Sequence, residues 1–279
     1  MPLKTIILFF ILLTGFNAYS QDQEWKGWEA EADTLVNHEN FGEALILYSK
    51  IIDGASPNYK QVFPVFYKRA VCYYNLNNMV LALKDLDAFM PEDPENLQAR
   101  LLRAFVYKEL GEGDHQIAEL SHILTVQPVN RDLLKWRASV YLEKEDYISA
   151  MKDLLSAKAI QDDPETEMYL GMTHFYEGHA DSALLSLNKA IALDVTFLPP
   201  YLYAGSFCLQ EEQYELILKY MDVALKIEPG NMTALFYKGI ALVELKKDKE
   251  GCRCLNKAFA GGEDDAADYL KEYCYGVTD

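Results

Sequence analysis

The chain has 279 residues, half of them hydrophobic, with 26 Lys+Arg against 43 Asp+Glu and a formal net charge of −17. A chain this apolar folds rather than staying disordered. The acidic balance argues against nucleic acid or an anionic membrane surface as partner, since both call for basic patches. It favours a neutral or basic protein surface, although the same charge would also serve simply to keep the chain soluble.

The first predicted element is a leader over residues 1–20. Lys4 gives a positive start, Ile6 to Leu13 is unbroken apolar, and Ala18 and Ser20 form the small-x-small pattern of a cleavage site. These are the parts of a secretory signal peptide, with a mature start near Gln21. The apolar run is too short for a span, which needs about 20 residues; an uncleaved anchor is the alternative. The ending Tyr19-Ser20-Gln21 resembles leaders of Gram-negative envelope proteins. The expected product is exported and periplasmic, with secretion or envelope association as alternatives and no membrane insertion after cleavage.

From Trp25 onward one pattern repeats. Ala32, Ala70, Ala104, Ala138, Gly171, Gly205 and Gly239 stand 38, 34, 34, 33, 34 and 34 residues apart. Counting each as position eight, position 24 is Tyr48, Leu86, Leu120, Leu154, Leu187, Met221 and Leu255. Position 27 is Ile51, Phe89, Ile123, Ala157, Ala190, Ala224 and Ala258. The units run 25–58, 63–96, 97–130, 131–163, 164–197, 198–231 and 232–263, and a helix over 264–275 follows. Pro57 and Pro64 bracket the single insertion, 59–62. Gln116 and Ile217 fall at position 20, where a small residue is expected, so those two helix pairs should be splayed. Arg100 and Glu167 replace a large apolar residue at position four.

The best-formed unit, 198–231, carries Tyr201 at four, Gly205 at eight, Ala224 at 27 and Pro229 at 32. It resembles the tetratricopeptide repeat, a 34-residue helix-turn-helix unit. The resemblance covers about Trp25 to Tyr275. It implies an all-α, right-handed superhelical solenoid of about seven repeats, residues 21–279 forming a single array whose last helix caps the end.

In that family a partner lies in the concave groove, on positions such as five, nine and 12 of the first helices. Carried over, these give Tyr67, Val71, Tyr74, Leu101, Phe105, Met168, Met172, Phe175, Leu202, Leu209, Phe236 and Ile240. Their apolar character widens the helix stripe beyond what pairing needs. The expectation is a non-enzymatic scaffold or adaptor of the bacterial envelope that holds an extended or helical segment of another protein. Burial of these residues between repeats is the competing outcome. A receptor for a small or polymeric ligand such as a glycan, on groove aromatics, is the alternative function. The carboxylate clamp of chaperone-tail binders is missing, because Glu29, Asp33, Tyr67 and Val71 stand at its positions.

No catalytic group, cofactor or metal site is expected. His174 and His179 are five residues apart, the wrong interval for one helical face, and no third ligand is evident. Among the five cysteines, Cys252 at position 21 should face inward and pair with Cys274 in the capping helix, ordinary thiols being the alternative. Cys254 at position 23, a polar position in most units, should face solvent. Cys72 and Cys208 should be small buried hydrophobes.

Overall fold

The computed structural model describes residues 23–57 and 59–275. The expected signal peptide lies outside them. Every regular element among the described residues is helical. The chain divides into two compact units, Met1–Val126 and Gln127–Asp279.

The first unit holds three helix pairs: α1 (23–37) with α2 (Phe41–Gly54), α3 (Phe63–Asn75) with α4 (Met79–Phe89), and α5 (Leu97–Leu110) with α6 (Gly113–Val126). A single 3-10 turn, Tyr59–Gln61, occupies the insertion. The second unit holds α7 (Arg131–Glu143) with α8 (Tyr147–Ile160), α9 (Pro164–Tyr176) with α10 (Ala180–Leu193), α11 (Pro199–Gln210) with α12 (Tyr214–Ile227), and α13 (Met232–Glu244) with α14 (Asp248–Ala260). A short helix, α15 (Ala266–Tyr273), closes the last pair, starting two residues later than the sequence suggested.

Helix starts follow from the turn chemistry. The side chains of Asn96, Asn130 and Asn231 accept the N–H three residues on, capping α5, α7 and α13. Asp163 does the same for α9, with Pro164 at the first helical position, where its missing N–H costs nothing. First helices end alike as well. The residue after the helix cap adopts positive φ at Glu39, Asn77, Glu145, Gly178, Glu212 and Lys246, and in α5 the cap residue Gly111 itself does so. The next N–H then reaches back five residues, as in Asn78 to Tyr73, Asp146 to Tyr141 and His179 to His174. This closing turn satisfies carbonyls that the helix end leaves open.

Within each pair, position eight meets position 24. Ala70 and Leu86, Ala104 and Leu120, and Ala138 and Leu154 are all fully buried. In the three units with glycine the approach is closer still. A Cβ on Gly239 would stand 2.7 Å from Leu255 Cγ, and one on Gly171 2.8 Å from Leu187 Cγ. Gln116 and Ile217 are accommodated inside their pairs, and the backbones of α5/α6 and α11/α12 approach each other less extensively than those of the other pairs from α3 to α14, in line with the expected splay. The amide nitrogen of Gln116 has no hydrogen-bond partner, the cost of putting a polar side chain in that slot.

A candidate partner-binding surface

In the first unit, five of the expected contact residues sit on α3 and α5. Tyr67, Val71, Tyr74 and Leu101 are half-buried, and Phe105 is 37% exposed. The rings of Tyr74 and Phe105 lie 6.2 Å apart, and Tyr67 leans on Phe89 at 5.7 Å. The structure therefore brings Tyr74 of α3 and Phe105 of α5 together and packs Tyr67 and Tyr74 against the core.

In the second unit the outcome divides. Met172, Phe175, Leu202 and Leu209 are half-buried on α9 and α11, with Phe175 stacked on Phe207 at 3.7 Å. Met168, Phe236 and Ile240 belong to the core instead and present nothing to a partner. Position in the repeat could not reveal this, because the cover comes from a neighbouring element. Tyr201 and Ala204 of α11 share the core that buries Met168, while α15 lays Tyr269 edge-on against Phe236 at 5.7 Å.

Sequence reading missed a set of buried ion pairs. Arg69 forks onto Asp85 with bonds of 2.7 and 2.8 Å, and Arg137 onto Asp153 with two of 2.7 Å. Arg100 and Arg103 both reach Glu119. The acids occupy position 23 and are nearly inaccessible. Each is compensated by planar guanidinium donors, the arrangement a buried carboxylate requires. Glu167, the acid at position four, is 1% exposed and is held by Lys158 at 2.6 Å and Lys189 at 2.8 Å. The spacing was the available signal: Arg69 to Asp85 and Arg137 to Asp153 are each 16 residues apart.

The same finding corrects Cys254. Position 23 faces inward between the paired helices, so Cys254 is half-buried rather than solvent-facing, and burial pushes its thiol pKa up. Cys72 and Cys208 are fully buried, and burial raises each thiol to about 11, with the nearby acids Asp33 and Glu211 adding to it. Cys252 and Cys274 are joined as a disulfide that ties α15 to α14. No helix among the described residues is long and apolar enough to cross a membrane.

No protein-family model matches the chain. It is similar to tetratricopeptide repeat protein 6 of Homo sapiens, 28% identical over 168 residues, which is 60% of this chain but only 32% of that protein. Among solved structures, it is similar to a tetratricopeptide repeat protein from Parabacteroides merdae, with a TM-score of 0.70 at 13% identity over 89% of this chain and 98% of that one. The C-terminal part of a TPR repeat-containing protein from Cytophaga hutchinsonii gives a TM-score of 0.66 at 18% identity over 87% and 99% of the two chains.

Proposed function

We propose that this chain, which has the fold of the tetratricopeptide repeat proteins and is similar to them in sequence, is a non-enzymatic scaffold that holds a segment of another protein on the apolar face of its first helices. The observation that carries the reading is the face built by Tyr67, Val71, Tyr74, Leu101 and Phe105 on α3 and α5. Solvent-accessible aromatic rings on rigid paired helices are what partner anchors use. The net charge of −17 favours a partner segment with neutral or basic flanks around its apolar anchors. Met172, Phe175, Leu202 and Leu209 offer a comparable surface in the second unit. We place the protein in the bacterial envelope, on the strength of the expected signal peptide.

Affinity capture with residues 21–279 as bait, beside a Phe105→Glu variant, tests the reading. Phe105 is more than a third exposed, so the variant should melt within a few degrees of the parent. A partner held by the parent and lost by the folded variant is the expected result. Equal retention by both would remove this face as the binding site. Fractionation with N-terminal sequencing tests the compartment: a chain starting at Gln21 in the envelope fraction is expected, and an unprocessed cytosolic chain would contradict it.

A further inference from the structure

We propose that His174, Glu177 and His179 form a binding site for a divalent transition-metal ion of the zinc type, a property separate from partner binding. The Nδ1 atom of His174 lies 4.0 Å from Glu177 Oε2, and the Nδ1 atom of His179 lies 3.8 Å from the same oxygen. The three donor atoms all fall within 4.8 Å of one another. Zinc bonds of about 2.0–2.1 Å in a tetrahedral arrangement bring ligand atoms to roughly 3.3 Å apart. Donor separations would have to close by up to about 1.5 Å to hold an ion, a change within reach of side-chain rotation.

The repeat's own turn builds this geometry. Five residues along a helix would send the two histidines to different faces. The helix, however, ends at Tyr176, and Gly178 takes a φ of 82°. The N–H of His179 then bonds back to the carbonyl of His174 at 2.8 Å, and that of Gly178 to Phe175 at 2.9 Å. The closing turn brings the side chains of positions 11 and 16 together. In the sixth repeat the same positions hold Cys208 and Gln213, whose Sγ and Oε1 atoms lie 3.9 Å apart. The backbone is thus shared among the repeats, and only in the fifth are positions 11, 14 and 16 His, Glu and His.

A further observation points to a ligand. His174 Nδ1 is shielded from solvent and has no hydrogen-bond partner. A shielded imidazole nitrogen without a protein partner is a group that a bound ion can satisfy. His179 stands at the N-cap of α10 and makes no capping bond, as Asn40, Gln213 and Lys247 make none at the matching positions of α2, α12 and α14. Its ring instead faces Glu177. Two imidazoles and one carboxylate suit zinc and its neighbours, not magnesium or calcium, which take oxygen donors. Three protein ligands leave a fourth position open.

The test is titration of the chelator-stripped chain with Zn2+, Mg2+ and Ca2+, and with Co2+ as a spectroscopic probe. The variants are His179→Asn and Glu177→Gln. Asn is the residue found at the matching position of the second repeat and caps there, so His179→Asn should fold as the parent does by circular dichroism and melting. The expected result is one Zn2+ per chain, a visible Co2+ spectrum, and affinity at least about tenfold weaker in both variants. No Zn2+ bound by the parent, equal affinity in parent and folded variants, or equal binding of Mg2+ would overturn the assignment.

Discussion

Asp85 is 3% exposed, and its charge is stable there only because Arg69 forks onto both carboxylate oxygens. Asp85→Ala should therefore cost about 3 kcal/mol or more, because it strands a guanidinium that is itself largely buried. Replacing both partners, Arg69→Met with Asp85→Leu, should return stability to within about 1 kcal/mol of the parent. Urea midpoints of the single and double variants check the pair. Asp163 gives a pH signature. Burial opposes its charge, but bonds from the Thr166 hydroxyl and N–H, with Lys135 and Arg131 nearby, outweigh that and hold its carboxyl below the usual range. A carboxyl lowered in the folded state contributes stability above its unfolded pKa of about 3.9, and that contribution is lost as pH falls through the lower folded value. The stability gap between the parent and Asp163→Asn should be fully present at neutral pH and close on acidification below about pH 4. A gap unchanged between pH 7 and pH 3 would contradict the account.

At the level of elements, α15 is small, and its inner face, the hydrogen bond from the Tyr273 hydroxyl to Glu244 and one disulfide hold it. Ala266, Tyr269, Leu270 and Tyr273 pack on the last pair, while Asp268, Lys271 and Glu272 face solvent. The Cys252–Cys274 bond spans 22 residues, and closing a loop of that size stabilises by about 3 kcal/mol. Cys274→Ser should lower stability by roughly that amount and open α15 to hydrogen exchange ahead of α13. Equal protection of α15 in parent and variant would show that packing alone suffices. The elements were legible in the sequence for a steric reason. Two helices can approach only where position eight is small, so Ala70, Ala104 and Gly239 marked the period whatever surrounded them. The acids at position 23 were not legible as interior, because a polar letter reads as surface until its partner is seen. Arg69 and Arg137, one helix earlier at constant spacing, were that partner. The misplacement of Cys254 followed from the same error. His174, Glu177 and His179 were hidden differently: helical spacing separates them, and only the left-handed turn at Gly178 reunites them.

For the whole molecule, the question is which apolar side chains remain accessible once each unit has assembled. Periodicity identified the candidate face but could not say how far neighbours would cover it. Phe236 was lost to α15, Ile240 to the core of the last pair, and Met168 to the core it shares with α11, whereas Tyr74 and Phe105 stay accessible on α3 and α5. Cover is a property of the next element in the chain, so it became readable only with the helices in place. The most direct test of the scaffold reading is site-specific photocrosslinking in cells. A photoreactive residue would be placed at Phe105 and, as control, at Val80, which is 70% exposed on the second helix of its pair. The account predicts a discrete crosslinked partner from position 105 and none from position 80. A partner crosslinked from position 80 and not from 105 would contradict it.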